Sequence, residues 1–289
     1  MKRSLIEEIS VLLLRKGYIV KNLSRGCFDV FSRKGDRILL LKILEDANAI
    51  SEEYSREMET IASYIDAVPL VVAHKAGIEL EDNIVYSRYD IQTLNIETFE
   101  NALENKFPFI RKTNAGLTAS IIGDKIKEKR EELGLSLHAL SQKIGVSGKT
   151  AQHYEGGVQE VTLQKAFRLY DVFGGSVFRG IDVFHTRHVF VEEPHTAVSK
   201  KYSALGFKAT DMKRVPFDVI ARKENDLVLT ELGDKMRPGF ESLSKLMEAD
   251  RLVIFKKNKP KNIASMKREE FLEIEKAKEL MKRIRETSF

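Results

Sequence analysis

Residues 122–174 constrain the fold of this chain most, because four short apolar periodicities follow one another there with glycines between them. In each periodicity apolar residues recur three or four positions apart, which predicts a helix with one buried face. Gly134 and Gly145 stand where a left-handed residue would end a helix. Ser136 and Ser147 precede the second and third helices and are suited to N-caps. The stretch therefore predicts a small domain of four helices joined by tight turns.

The third helix of this stretch, residues 147–155, leaves a polar face without negative charge when Ala151 and Tyr154 point inward. Such a face suits a helix in the DNA major groove, where Gln pairs with adenine and Lys with guanine or phosphate. We expect the serine caps to fix the helix ends beside the DNA. The predicted DNA-binding residues are Ser136, Ser147, Gly148, Lys149, Thr150, Gln152 and His153.

The spacing of these residues resembles the Cro and phage-repressor class of helix-turn-helix domains. The matching stretches are R-E-E-L-G-L-S (130–136), L-S-Q-K-I-G-V-S (140–147) and K-T-A-Q-H-Y-E (149–155). The chain departs from the class at Leu137, where the class carries a Gln that helps to hold a phosphate. The resemblance implies an all-α DNA-binding domain; the alternative is a four-helix piece of another domain without a DNA role.

The cysteine content and the charge distribution restrict the expected cellular compartment and binding partners of the protein. The chain has one cysteine, Cys27, so an internal disulfide is excluded and a reducing cytoplasm is expected. It has no apolar run of the length that spans a membrane, so no membrane partner is expected. The net charge is −4 over residues 1–110, +3 over 111–200 and +6 over 201–289. The basic excess in the middle and C-terminal parts would suit a polyanion.

The sequence also contains an internal repeat. Residues 17–42 align without gaps to residues 206–231, and both stretches contain Phe-Asp-Val, then Arg-Lys, then an apolar run. Further on, residues 59–75 align to residues 241–257. Two blocks in the same order indicate a duplicated domain. Each copy is predicted to run helix, strand, two strands joined by a turn, helix and strand.

This order of elements resembles the restriction-endonuclease-like fold. Active members carry Asp on the second strand and Asp/Glu-x-Lys on the third, where two carboxylates hold a divalent cation. The first copy has Asp29 and Lys42 but Leu40 in place of the second carboxylate, and the second copy has Asp218 and Glu231 but no Lys. We therefore predict two degenerate copies with no catalytic residues, no metal and no cofactor.

The predicted fold is a multidomain α+β or α/β chain in which two restriction-endonuclease-like domains flank an all-α helix-turn-helix domain. The first α/β domain is predicted over residues 1–108 and a linker over 109–120. The helix-turn-helix domain is predicted over 121–183, and the second α/β domain, which ends in a long C-terminal helix, over 184–289. The whole arrangement resembles an archaeal family of helix-turn-helix transcriptional regulators with a nuclease-like N-terminal domain.

That resemblance implies a sequence-specific transcriptional regulator that binds double-stranded DNA. A homodimer is expected, because a single module of this size binds DNA weakly and a dimer reads two half-sites. Two alternatives stay open at this point. One is a metal-dependent DNA nuclease that the helix-turn-helix targets to its substrate. The other is a transcription cofactor whose helix-turn-helix contacts protein.

Overall fold

The computed structural model of the protein describes residues 2–23, 26–114, 116–157, 160–186, 188, 193–260 and 262–286. The chain divides into two compact units. The first unit comprises Met1–Ile43, Ile50–Leu70 and Thr186–Phe289, and the second comprises Leu44–Ala49 and Val71–His185. The predicted domain of residues 1–108 is thus shared between the units. In the described part of the chain, no helix combines the length and apolarity needed to cross a membrane.

The N-terminal part has the mixed α/β order that the sequence predicts. Its elements are α1 (Lys2–Arg15), β1 (Ile19–Asn22), β2 (Val30–Lys34), β3 (Arg37–Asp46), α2 (Glu52–Ile65) and β4 (Ala67–Ala76). Strands β1, β2 and β3 pair antiparallel, and the β2–β3 hairpin turns at Gly35 with φ 57°. Residues 38–44 of β3 are all buried, and all but Lys42 are apolar, so both faces of the strand are covered and the sequence does not alternate. We call residues 2–70 the N-terminal α/β segment.

The stretch predicted as a linker, residues 109–120, forms two strands instead. The elements that lead into and include it are β5 (Ile78–Glu79), β6 (Ile84–Arg88), β7 (Ile91–Leu94), α3 (Ile96–Leu103), β8 (Ile110–Thr113) and β9 (Gly116–Ser120). Strand β8 pairs parallel with β6 and antiparallel with β9. Pro108 precedes β8 and Gly116 begins β9, and β6 supplies a partner that local composition does not reveal.

The four predicted helices of the central domain are confirmed. The domain contains α4 (Gly123–Glu132), α5 (Leu137–Ile144), α6 (Gly148–Glu155), β10 (Glu160–Thr162) and α7 (Leu163–Phe173). The prediction of an all-α domain is not confirmed, because β10 pairs antiparallel with β9. Val161 lies opposite Ala119 in this pair, and both side chains are buried in the helical core. The strand pair therefore contributes buried apolar surface to the core of the helical domain.

The C-terminal α/β segment, residues 193–286, has a five-stranded sheet. Its elements are α8 (Ala197–Ala204), β11 (Lys208–Asp211), β12 (Val219–Lys223), β13 (Asp226–Leu232), α9 (Phe240–Leu246), β14 (Asp250–Phe255), β15 (Ser265–Lys267), α10 (Arg268–Glu273) and α11 (Ala277–Glu286). The strand order is β11-β12-β13-β14-β15. The first three strands pair antiparallel, and β14 and β15 add in parallel.

The predicted long C-terminal helix is wrong, because the segment forms two helices. The backbone turns extended at Ile274, with φ −61° and ψ 124°, between α10 and α11. Phe271 of α10 and Ile284 of α11 are both buried in the core of the C-terminal α/β segment. A straight helix over residues 266–286 would be roughly 30 Å long, whereas the break at Ile274 lets α10 and α11 pack on one core.

Gly123 begins α4 at a place where two backbones touch. A Cβ atom there would lie 2.6 Å from the carbonyl oxygen of Glu155 and 2.7 Å from that of Tyr154, at the end of α6. These distances are shorter than real Cβ contacts allow, so either the helices must separate or the position must remain glycine. Gly123 therefore fixes how closely α4 and α6 approach.

We predict that Gly123→Ala destabilises the helix-turn-helix by about 1–3 kcal/mol, because an inserted methyl group forces the two backbones apart. Hydrogen exchange of the α4 and α6 amides, followed by mass spectrometry, measures the change. The control is Gly148→Ala, because a Cβ at Gly148 meets nothing within 4 Å. This variant should gain about 0.5–1 kcal/mol from helix propensity. Equal protection in both variants would contradict the role of Gly123.

Candidate nucleic-acid interface

Two serine caps define the entrances of α5 and α6. The Ser136 hydroxyl accepts a hydrogen bond from the Ala139 amide at 3.1 Å, and the Ser147 hydroxyl accepts one from the Thr150 amide at 3.1 Å. Helix α5 ends at Gly145, whose φ of 62° is left-handed. Both serines are thus confirmed as N-caps, and the turn between the helices closes as the sequence predicts.

Helix α7 holds this turn through two cationic side chains. Lys165 Nζ donates to the carbonyl oxygen of Gly145 at 2.5 Å, and Arg168 Nη1 donates to that of Ile144 at 3.3 Å. A Cβ at Gly145 would lie 1.7 Å from Arg168 Nη1, so the guanidinium occupies the space that any other residue would need. Cations at the end of α5 also satisfy carbonyls that have no partner within the helix.

The buried side of α6 decides which residues face outward. Ala151 and Tyr154 are both buried, and Tyr154 lies in the core that Leu140 and Ile144 of α5 also enter. Burial raises the pKa of the Tyr154 hydroxyl above its ordinary value. With these four residues inside, the opposite side of α6 is left to solvent.

The outward face of α6 carries the residues that the sequence predicts. Lys149, Gln152 and His153 are exposed, as is Gly148 at the start of the helix. Thr150 is half-buried, and its hydroxyl lies 2.8 Å from the Ser147 hydroxyl, so it supports the cap as well as facing out. The structure places these residues on one surface; their contacts with DNA stay a prediction.

Glu155, the only acidic residue of α6, is turned away from the outward face. Arg130 of α4 donates to it through Nε at 2.6 Å and through Nη2 at 3.1 Å, which is a two-point contact. Arg130 Nη1 also donates to the carbonyl oxygen of Leu135 at 2.9 Å. The hydrogen bond to Glu155 raises the pKa of the Arg130 guanidinium. The outward face is therefore free of carboxylates, and Arg130 is occupied inside the domain.

In the first unit, Asp29 and Lys42 lie together as a buried pair. Lys42 Nζ donates to the carbonyl oxygen of Gly26 at 2.9 Å and lies 3.5 Å from Asp29 Oδ1. Asp29 Oδ2 accepts the Ile43 amide at 2.9 Å. Both side chains are less than a tenth exposed. Leu40, where a second carboxylate would stand, is buried in the core.

In the C-terminal α/β segment, a guanidinium joins Asp218 to Glu231. Arg237 donates to Glu231 Oε1 through its amide at 2.7 Å and its Nε at 3.0 Å, and its Nη2 donates to Asp218 Oδ2 at 2.6 Å. Glu231 is 2% exposed at its side chain, and this burial raises the pKa of its carboxyl despite Arg237. The positive charge that the sequence did not reveal comes from a loop residue six positions after Glu231.

Two stretches of the chain match known protein families. Residues 2–108 match the PD-(D/E)XK superfamily domain, and residues 126–178 match the helix-turn-helix family. A Methanosarcina barkeri relative is 30% identical, and the match covers 81% of this chain and 78% of the relative. A Thermococcus kodakarensis relative is 30% identical over 87% of this chain and 83% of its own length. A Methanocaldococcus jannaschii relative is 29% identical over 99% of this chain and 97% of its own length.

The chain belongs to the archaeal protein family that these relatives represent. Each of the three relatives bears the name "Putative HTH-type transcriptional regulatory protein". The mixed α/β N-terminal part and the helix-turn-helix region expected from the family resemblance are therefore confirmed. No solved structure matches the chain.

Two residues of these sites, Gly123 and Arg237, are not predicted from the sequence. Gly123 contacts the carbonyl oxygens of Tyr154 and Glu155, about thirty positions along the chain, so no local spacing reveals it. Arg237 has no counterpart in the pattern of two carboxylates and a lysine. The signal that could have found it is the uncompensated pair of acidic residues in the second copy, because buried carboxylates need a cation.

We predict that Arg237→Ala destabilises this regulator-family chain by about 1–3 kcal/mol near neutral pH, because two carboxylates lose their counter-charge. The partial exposure of Arg237 keeps the loss below that of a fully buried pair. Glu231 has a raised pKa when folded, so its protonated form favours folding and its ionised form opposes it. The deficit should therefore grow as the pH rises through that pKa and shrink in acid.

Urea unfolding at about pH 4.5 and about pH 8, followed by circular dichroism, measures this dependence on pH. The exposed neighbour Lys235 provides the control, and Lys235→Ala should unfold like the unmodified protein at both values. A deficit for Arg237→Ala that is the same in acid and in base would exclude Glu231 as its source.

Proposed function

We propose that the chain is a sequence-specific, double-stranded DNA-binding transcriptional regulator whose helix α6 reads the major groove. The observation that carries the proposal is the outward face of α6, which is polar, exposed and free of carboxylates. The names of the family relatives support the same function. The absence of a membrane-spanning helix in the described residues and the free Cys27 thiol are compatible with a cytoplasmic setting.

The side chains of α6 divide into two roles. Gln152 has the donor and acceptor pair that matches adenine, and Lys149 suits guanine or a phosphate. His153 and Thr150 are placed to contact neighbouring bases or the backbone. Ser136, Ser147 and Gly148 lie at helix N-termini, where backbone amides favour phosphate. Leu137 offers no hydrogen bond to a phosphate, so these termini and Lys149 would have to supply the backbone contacts.

We also propose that the regulator binds as a homodimer, with two α6 helices in half-sites about 34 Å apart. The part of the chain that the structure describes contains a single helix-turn-helix, and two half-sites bound together give far more affinity than one. Size-exclusion chromatography with light scattering tests the proposal. A chain that stays monomeric at micromolar concentration, alone and on its DNA site, would contradict it.

We propose that the two α/β segments are copies of one duplicated, degenerate nuclease-like domain. The chain would then have three domains: residues 1–108, 121–183 and 184–289. Equivalent hydrogen bonds support the duplication, because each bond of the second set is displaced from its counterpart by the same number of positions. The pairs are Asp29 N to Leu41 O with Asp218 N to Thr230 O, Ile43 N to Asp29 Oδ2 with Leu232 N to Asp218 Oδ2, and Lys34 Nζ to Lys16 O with Lys223 Nζ to Leu205 O.

A metal-dependent nuclease is the rival function. The surroundings of the carboxylates that would bind its metal, Asp29 in one segment and Asp218 and Glu231 in the other, argue against it. Two carboxylates that face one cation are needed to hold the metal of such an enzyme. Asp29 is paired with Lys42 instead, and Asp218 and Glu231 share Arg237. These donor sets do not fit a divalent cation. Cleavage of supercoiled DNA in Mg²⁺ or Mn²⁺ that disappears in Asp29→Ala would establish the rival.

We predict that the protein selects one DNA sequence from a random pool and that Gln152→Ala weakens binding to it by roughly 1–3 kcal/mol while relaxing specificity at one base pair. Lys149→Ala should instead lower the dependence of affinity on salt by about one contact. Fluorescence anisotropy over a salt series measures both changes.

The matched control for these variants is Lys282→Ala, because Lys282 is an exposed helical lysine outside the helix-turn-helix. Its affinity and salt dependence should equal those of the unmodified protein. If all three variants bind the selected DNA equally, α6 does not read it. If no sequence is selected and binding to DNA is absent at low salt, the alternative of a protein-interaction cofactor takes its place.

A further inference from the structure

The two α/β segments touch each other within the first unit through equivalent arginines. Arg33 of β2 donates to the carbonyl oxygen of Leu246 at 3.2 Å and forms an ion pair with Glu248 at 2.8 Å. These acceptors lie at the C-terminal end of α9. Arg33 is thus a cation at the end of a helix that belongs to the other segment.

The reverse contact has the same form. Arg222 of β12 donates to the carbonyl oxygen of Tyr64 at 2.7 Å and to Asp66 Oδ2 at 3.2 Å, at the C-terminal end of α2. Arg222 is the counterpart of Arg33 in the repeat alignment, and Tyr64 and Asp66 are the counterparts of Leu246 and Glu248. Asp66 and Glu248 even share a left-handed backbone, with φ 52° and 54°.

A contact in which one arginine binds the other segment's helix end, and the second arginine returns the same contact, is the pattern of a two-fold symmetric dimer. We infer that the two α/β segments form an internal pseudo-dimer within one chain, and that the loop 212–215 of the C-terminal segment closes over the buried pair of Asp29 and Lys42, whose site we call the pocket. This inference rests on the proposed duplication and is independent of DNA binding.

The loop that closes the pocket is held by Glu57 of α2. Glu57 Oε1 accepts the backbone amides of Lys213 and Arg214, each at 2.7 Å. The carbonyl oxygen of Arg214 accepts the amide of Cys27 at 2.9 Å, next to the Asp29 strand. These bonds fix the loop backbone against the N-terminal α/β segment, whatever its side chains do.

The side chain of Arg214 completes the closure. Its guanidinium forms ion pairs with Glu53 and Glu57, and its Cζ lies 4.8 Å from the centroid of the Tyr54 ring. Lys42 Nζ lies 4.7 Å from the centroid of the same ring. The Tyr54 ring therefore contacts both Lys42, the partner of Asp29, and Arg214 of the closing loop.

The contact between the two segments covers the surface through which the same segments of two separate chains could otherwise associate. A second chain cannot occupy the helix ends that Arg33 and Arg222 already fill. A homodimer of the regulator would therefore use a surface other than the one around these two arginines. The closed pocket also explains why Asp29 and Lys42 are almost fully buried although they stand where an active enzyme would bind its substrate.

Cys27 provides a built-in reporter of the closure. It is the only cysteine of the chain, it is fully buried, and burial raises the pKa of its thiol. The closing loop contacts Cys27 directly through the carbonyl oxygen of Arg214, so we expect its departure to expose the thiol and the rate of modification to report opening of the pair. The rate of reaction of the native full-length chain with 5,5′-dithiobis(2-nitrobenzoic acid) is therefore the readout.

We predict slow modification of the unmodified protein and an increase of about tenfold or more in Glu57→Ala, which removes the acceptor of both loop amides. Glu57 also raises the pKa of Cys27 by its charge, so the matched control is Glu57→Gln. This variant removes the charge but keeps an oxygen that accepts the amides, and it should react within a few-fold of the unmodified rate.

The arginine contacts are tested separately by Arg33→Ala, Arg222→Ala and the double variant. Each single change should raise the rate, and the double change should raise it further, because both contacts hold one interface. Arg3→Ala, at an exposed position of α1, should leave the rate unchanged. The double variant also decides the outcome if Glu57→Ala fails to fold, with circular dichroism as the check of folding.

Fast modification of Cys27 in the unmodified chain would overturn the inference. So would an unchanged rate in a folded Arg33→Ala/Arg222→Ala chain, or equal rates in Glu57→Ala and Glu57→Gln. Because the assay contains no DNA, these outcomes leave the proposed regulator function untouched, and a failure to bind DNA leaves this inference untouched.

Discussion

The close approach of α4 to α6 at Gly123 is the constraint on which the proposed DNA-binding surface depends. The missing side chain lets the start of α4 rest on the carbonyl oxygens of Tyr154 and Glu155. With α6 held there, Tyr154 enters the core and Arg130 captures the Glu155 carboxylate. What remains outside is polar or cationic. The character of the outward face thus follows from packing on the opposite side of the same helix.

In the first unit, cationic side chains of the protein itself neutralise the carboxylates that stand where a nuclease would bind metal. Lys42 lies beside Asp29, and Arg237 joins Asp218 to Glu231, so a protein cation stands near each acidic group. Leaving such groups unpaired inside a protein costs more than most other changes. This internal pairing of charge supports the proposal that both nuclease-like domains are degenerate.

The helix-turn-helix was predictable because its signals are local. Ser136, Ser147 and Gly145 specify caps and a turn within a few residues, and the structure has them where the sequence places them. Features that depend on distant partners were not predictable. Strands β8 and β9 read as a linker until β6 and β10 pair with them, and the C-terminal helix reads as continuous until one core must receive both halves. Periodicity also fails to predict burial at Leu133, which follows the buried Ile126 by seven positions yet is 55% exposed.

The central claim is that the outward face of α6 contacts DNA, and modification of histidines tests it most directly. His153 and His74 are both exposed; His153 lies on that face, whereas His74 lies on β4, outside the helix-turn-helix. Both should react with diethyl pyrocarbonate in the free protein, as mass spectrometry of the peptides would show. On adding the selected DNA, we predict that His153 becomes protected and that His74 stays reactive. Equal reactivity of His153 with and without saturating DNA would contradict the account.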